Sequence, residues 1–152
     1  MNSASKTWPM RTAAQAADME ARALRQWFST KVLKLRGNDR KSTGSGDHCG
    51  LSRQRIYQAA ITQILNRQGM SVSRAARIAF EFSDVGNIGR APAELYAHGK
   101  TILVVGPDGP VVKNIFADTT FSDVSNSTAC HITADMNQVV EQVDAKLRKH
   151  SN

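Results

Sequence analysis

Residues 12–30 read TAAQAADMEARALRQWFST, and this stretch decides the fold expected of the chain. Ala13, Ala14, Ala16 and Ala17 make a strong helix-forming run whose small side chains let a second helix approach closely, and Thr12 is placed to cap it. The Asp18-Met19 step breaks the run. From Glu20 the apolar residues Ala21, Leu24, Trp27 and Phe28 recur at helical spacing, which predicts a second helix over about Glu20–Thr30. Its opposite face carries Arg22, Arg25, Gln26 and Ser29 at i, i+3, i+4 and i+7, one continuous stripe of hydrogen-bond donors.

Upstream, residues 1–10 are polar and aperiodic and read as a frayed tail, apart from Trp8, which can dock on the first helix. Downstream, Val32, Leu33 and Leu35 read as a short strand running into Arg36-Gly37-Asn38-Asp39-Arg40-Lys41 and the glycine- and serine-rich segment 42–46, together a basic hairpin. Ser52 caps a helix whose buried face is Ile56, Tyr57, Ala60, Ile61, Ile64 and Leu65 and which stops at Gly69. Ser71 caps the next, lined by Val72, Ala75, Ala76, Ala79 and Phe82. The irregular stretch 85–99 reads as a connection. Beyond it, Thr101–Val105 and Val111–Phe116 are strand runs bridged by Gly106-Pro107-Asp108-Gly109-Pro110, and Ala129–Ala134 is a third strand candidate. Asp135 then opens a helix in which Met136, Val140, Val143 and Leu147 form an apolar seam.

The 152 residues carry a formal net charge of +7, distributed unevenly. Residues 1–77 hold fourteen Lys and Arg against four acids, a net of +10, whereas residues 78–152 hold six against nine, a net of −3. A basic half of this kind favours a polyanionic partner, because neutralising phosphates releases their condensed counterions. Cys49 and Cys130 belong to no CxxC pattern, the start of the chain has no apolar stretch behind its charge, and the aliphatic run Ile102–Val105 is far too short to span a bilayer, so a cytoplasmic, nucleoid-associated protein with no membrane partner is expected. His48-Cys49 and Cys130-His131 lack metal-site spacing, the glycines form no phosphate loop, and no nucleophile-base arrangement occurs, so neither metal, cofactor nor enzymatic activity is expected.

Two helices about a tight turn, a basic hairpin and two longer helices make a winged helix-turn-helix. Over Arg11–Ala79 this order resembles the MerR-type DNA-binding domain: Ala14, then Leu24-Arg25 ten residues on, Trp27 at an aromatic position, Val32-Leu33 entering the wing, Leu51-Ser52 opening the third helix and Gly69-Met70-Ser71-Val72 at the joint before the fourth. Asp18 and Lys31 stand where that family commonly has glycine, Trp27 replaces tyrosine, and the family's long dimerisation helix has no counterpart. The resemblance implies binding to double-stranded DNA, with Arg25 as the phosphate-contacting arginine and Arg22 and Gln26 on the groove face, suited to guanine and adenine respectively. Arg36, Asn38, Arg40 and Lys41 of the wing would straddle the adjacent backbone, Ser29 would complete the stripe on the second helix, and Arg53 and Arg55 would clamp phosphate at the start of the third helix.

The expected fold class is therefore α+β: a winged helix-turn-helix over 11–84, mainly helical with a small wing, a linker over 85–99, and an antiparallel sheet with a C-terminal helix over 100–150. The last unit is expected to join two chains into a homodimer through an unpaired edge such as Val111–Phe116, which suits a transcriptional regulator on a two-fold site. Two other functions fit the same residues: an excisionase-like or architectural factor that bends DNA, and a protein-interaction module, such as an anti-activator, that no longer binds DNA.

Overall fold

The computed structural model describes residues 5–44, 49–125 and 131–151, and within these the chain is α+β with six helices and two small antiparallel sheets. In chain order the elements are β1 (Thr7–Pro9), α1 (Met10–Ala16), α2 (Ala21–Ser29), β2 (Gly50–Ser52), α3 (Arg53–Arg67) and α4 (Val72–Ser83). They continue as β3 (Lys100–Gly106), β4 (Gly109–Ile115), α5 (Phe121–Ser125), β5 (Ile132–Asp135) and α6 (Met136–Lys149).

The N-terminal segment is not a frayed tail. Thr7, Trp8 and Pro9 pair antiparallel with Ser52, Leu51 and Gly50, and Trp8 and Leu51 enter the core. Residue 50 must lack a side chain, because a Cβ there would collide with Thr7. Pro9 ends the strand and is the N-cap of α1, three residues before the expected cap at Thr12. All four alanines at 13, 14, 16 and 17 are buried.

Both short helices end on a left-handed residue that is not glycine. Asp18, with φ 57°, follows α1, and the next amide, Met19 N, returns to the Ala14 carbonyl at 3.0 Å. Lys31, with φ 61°, follows α2, and Leu33 N returns to the Trp27 carbonyl at 3.0 Å. The left-handed region favours glycine, and both residues take it up to close the ends of their helices.

The second of these caps also removes the strand expected at Val32–Leu35. The Leu33 amide serves the end of α2 instead of a ladder, and Leu33 is held as a single buried anchor. The basic hairpin reduces to one antiparallel bridge, in which Arg40 and Gly50 exchange two backbone hydrogen bonds of 2.8 Å; residues 45–48 of the expected wing lie outside the described residues.

The caps of the longer helices stand where the sequence places them. Ser52 Oγ accepts from Arg55 N, Ser71 Oγ from Arg74 N, and the Asp135 carboxylate from Gln138 N. The larger sheet has the order β4-β3-β5, with β3 buried at its centre. The third strand runs over Ile132–Asp135, and the earlier part of the expected one, Ala129 and Cys130, lies outside the described residues. On α6 the buried positions are Met136, Val139, Val143 and Leu147, with Val140 only half-buried. This face packs on α1, α3 and β3 together, so the buried apolar residues form one cluster running from Trp8 and Leu24 through Phe82 to Leu103 and Leu147.

The connection between α4 and β3 is packed around a buried arginine. The Arg90 guanidinium lies over the Phe82 ring and donates to the carbonyls of Phe82, Ala91, Glu94, Glu81 and Val85, between 2.6 and 3.4 Å. Burial holds its pKa below the ordinary arginine value.

Candidate nucleic-acid interface

Helix α2 divides into two faces. Leu24 and Trp27 are buried against α1 and the core, while Arg22, Arg25, Gln26 and Ser29 are exposed along the other side. Among the described residues neither Arg22 nor Arg25 takes part in an ion pair. Ser29 Oγ donates to the Gln26 carbonyl at 3.0 Å, and Thr30 Oγ1 to the same carbonyl at 2.8 Å, so both hydroxyls reinforce the end of the helix. The arginine and glutamine side chains remain available to a ligand.

The segment after α2 carries the other expected contacts. Arg36 is exposed, with its guanidinium 4.7 Å from the Phe80 ring centroid. Asn38 is exposed and its Oδ1 accepts from Ser5 Oγ at 3.4 Å. Arg40, whose backbone forms the bridge to Gly50, and Lys41 next to it are exposed. Asp39 holds this segment in place. One of its carboxylate oxygens accepts from Ser52 N at 2.8 Å and Ser52 Oγ at 2.7 Å, and the other accepts from Arg36 N at 2.8 Å and Arg55 Nε at 3.1 Å.

Arg55 does not clamp phosphate; its side chain is 2% exposed, and it forms the centre of a buried network. It is bidentate to Asp84, with bonds of 2.9 and 3.0 Å, ion-paired to Asp39, and hydrogen-bonded to the Gln58 carboxamide, which also donates to the Ala76 carbonyl at 3.1 Å. The reason is helical rotation: Arg55, Gln58 and Thr62 lie three and four residues apart on the side of α3 that meets α4. Burial alone would lower the arginine pKa, but the hydrogen bonds and charges of Asp84 and Asp39 outweigh it and hold the pKa above its ordinary value.

Arg53 is largely exposed and lies 3.5 Å from Asp144 of α6, so its charge is partly met within the chain. Asp144 also accepts from the Tyr57 hydroxyl at 2.7 Å. The stripe on α2 thus stands as the sequence expects, Arg53 is half committed to α6, and Arg55 belongs to the fold. A clue to this lay in Gln58 and Thr62, polar residues at helical spacing from Arg55 within an otherwise apolar helix face.

Among the described residues no group of three or more His, Cys, Asp or Glu side chains could hold a metal ion; His48 and Cys130 lie outside them. Burial holds the Cys49 thiol above its ordinary pKa. No helix among the described residues is long and apolar enough to cross a membrane. No protein-family model matches the chain, and no curated protein is significantly similar to it.

Proposed function

We propose that the protein binds double-stranded DNA as a regulator of transcription, with α1 and α2 acting as a helix-turn-helix and α2 entering the major groove. The observation that carries this reading is the exposed stripe Arg22, Arg25, Gln26 and Ser29, whose two arginines take part in no ion pair among the described residues, on a helix locked by Leu24 and Trp27. In this reading Arg22 makes a bidentate contact to guanine, Gln26 one to adenine, and Arg25 a phosphate contact. Arg36, Asn38, Arg40 and Lys41 lie on the adjacent backbone, with their loop held by Asp39. Arg53 adds a weaker contact, because Asp144 competes for it.

The apolar face of α6 is used inside the chain, which leaves a sheet edge as the surface for a second copy. A dimer formed along the outer edge of β4, where Val111 is exposed, would engage two half-sites. The decisive experiment is fluorescence anisotropy of the full chain with random and selected duplexes over a salt series. Log affinity should fall steeply and linearly with log salt, and selection should enrich one sequence. Absence of a shift at low salt, or affinity flat against salt, would refute DNA binding.

A further inference from the structure

The segment leaving α2 and the outer side of α4 enclose a cleft of about 470 Å³. Lys31, Lys34 and Arg36 line it from the segment, Arg77 and Phe80 from α4 and Gln58 from α3, with the hydroxyl residues Thr30 and Ser73 also in the lining. No acidic side chain lines it. None of the four cations takes part in an ion pair among the described residues, whereas Arg53, Arg67, Lys100 and Lys146 elsewhere all lie within 4 Å of a carboxylate. The Asp39 side chain, three residues on from Arg36, is buried and engaged with Arg55, Ser52 and the Arg36 amide.

Four like charges around one concavity repel one another unless an anion lies between them. The Gln58 carboxamide in the lining is already bonded to Arg55 and the Ala76 carbonyl. The Arg36 guanidinium lies over the Phe80 ring, 4.7 Å from its centroid, which holds that cation beside the cleft. A cleft with four cations and no acidic side chain in its lining, two of the cations guanidinium forks, favours phosphate over a cationic ligand.

We propose that this cleft is a phosphate-binding site, occupied by a backbone phosphate of bound duplex or by the phosphate group of a small ligand. The proposal goes beyond the DNA reading, because Lys31, Lys34 and Arg77 lie off the α2 stripe and the cleft can hold a free anion without any duplex.

The test uses the full chain, with Arg77→Gln and Lys34→Gln as cleft variants, Arg22→Ala on the stripe, and Arg148→Gln on α6 as control, each first checked for an unchanged thermal melt. Pyrophosphate is titrated calorimetrically at low ionic strength, and a random duplex is titrated over a salt series. A free phosphorylated ligand predicts one saturable pyrophosphate site per chain, weakened at least fivefold by each cleft variant and unchanged by Arg148→Gln. A backbone phosphate predicts little pyrophosphate binding, with the slope of log affinity against log salt reduced by about 1 in each cleft variant. The proposal is overturned if both cleft variants leave pyrophosphate binding and the salt slope as they are, or if neither probe binds. Loss of duplex binding in Arg22→Ala alone would then leave the DNA reading standing without the cleft. Cleft-dependent pyrophosphate binding with no duplex binding would do the reverse.

Discussion

Arg22 and Arg25 on α2 and Arg53 and Arg55 at the start of α3 are the same residue type, all within the first turns of helices in the basic half of the chain. Their surroundings divide them. The first pair faces outward with no carboxylate partner among the described residues; Arg53 lies beside Asp144, and Arg55 is enclosed by Asp39, Asp84, Ser52 and Gln58. A formal net of +10 over residues 1–77 therefore overstates the charge this half presents, because two acids from outside it, Asp84 and Asp144, lie against Arg55 and Arg53. Which way a helix rolls against the core decides whether an arginine is an interface group or part of the fold.

The largest effect should follow from removing the enclosed member. Arg55→Ala strips the partner from two buried carboxylates and should cost about 3 to 5 kcal/mol of stability in urea denaturation. Arg22→Ala should stay within about 0.5 kcal/mol of wild type, as surface changes do. Equal losses in the two variants would break the comparison at once. Next in size is DNA affinity, where the order should invert. Arg22→Ala should lose on the order of 1 to 3 kcal/mol on the preferred duplex and relax one base pair, Lys41→Ala should weaken all sequences alike, and Arg53→Ala should do least of the three. Anisotropy on specific and random duplexes separates these roles, and an Arg53 effect larger than that of Arg22 would reverse the assignment.

A smaller effect tests how firmly α6 holds the start of α3. The Tyr57 hydroxyl donates to Asp144, and burial first, then that carboxylate, pushes the phenol well above its ordinary pKa of 10.0. The folded state thus favours the neutral phenol. Its contribution is intact below about pH 10 and is lost as pH rises through the ordinary tyrosine range towards the folded pKa. Tyr57→Phe should cost about 1 to 2 kcal/mol at neutral pH and flatten the alkaline fall in the urea midpoint. A full alkaline fall in the variant would place its origin elsewhere.

Much of this architecture was legible in the sequence because it is local. Ser52, Ser71 and Asp135 cap the helices they precede, and Gly106–Pro110 marks the β3–β4 connection. The exposed stripe on α2 followed from the same 3.6-residue periodicity. What escaped depends on partners far away in the chain. A three-residue strand such as β1 has no pattern of its own and exists through its pairing with Gly50–Ser52, forty-odd residues later. Arg55 reads as an exposed helix-start cation until Asp39 and Asp84 are brought to it. Arg90 reads as a linker residue until five carbonyls converge on it. Asp18 and Lys31 escaped as well: neither is a residue type that the left-handed region favours as it favours glycine, yet the backbone gives both a positive φ.

Those two residues supply the smallest and sharpest test, because they share a strained conformation and differ in partners. A non-glycine residue in the left-handed region costs about 1 to 2 kcal/mol, of which glycine's greater freedom in the unfolded chain takes back roughly 0.5 to 1. Lys31 takes part in no ion pair among the described residues, so Lys31→Gly should raise stability by about 0.5 kcal/mol at any pH between 3 and 7. Asp18 receives a bond of 2.9 Å from Arg67 and lies 3.8 Å from Lys146, and these hold its carboxyl below the ordinary value, the Arg67 bond first and the charges of Lys146 and Arg67 after it. A depressed folded pKa means that this support is present above about pH 4 and fades as pH falls through the folded value. Asp18→Gly should therefore gain nothing at pH 7, where relief of strain and loss of the exposed pair offset each other, and should gain relative to wild type at acid pH as the pair dissolves. Urea midpoints of both variants and the wild type at pH 7 and pH 3 decide it. Equal gains for the two variants at pH 7 would mean that the Asp18 ion pairs contribute nothing, and that the contrast between met and unmet charges ends at the buried Arg55 network.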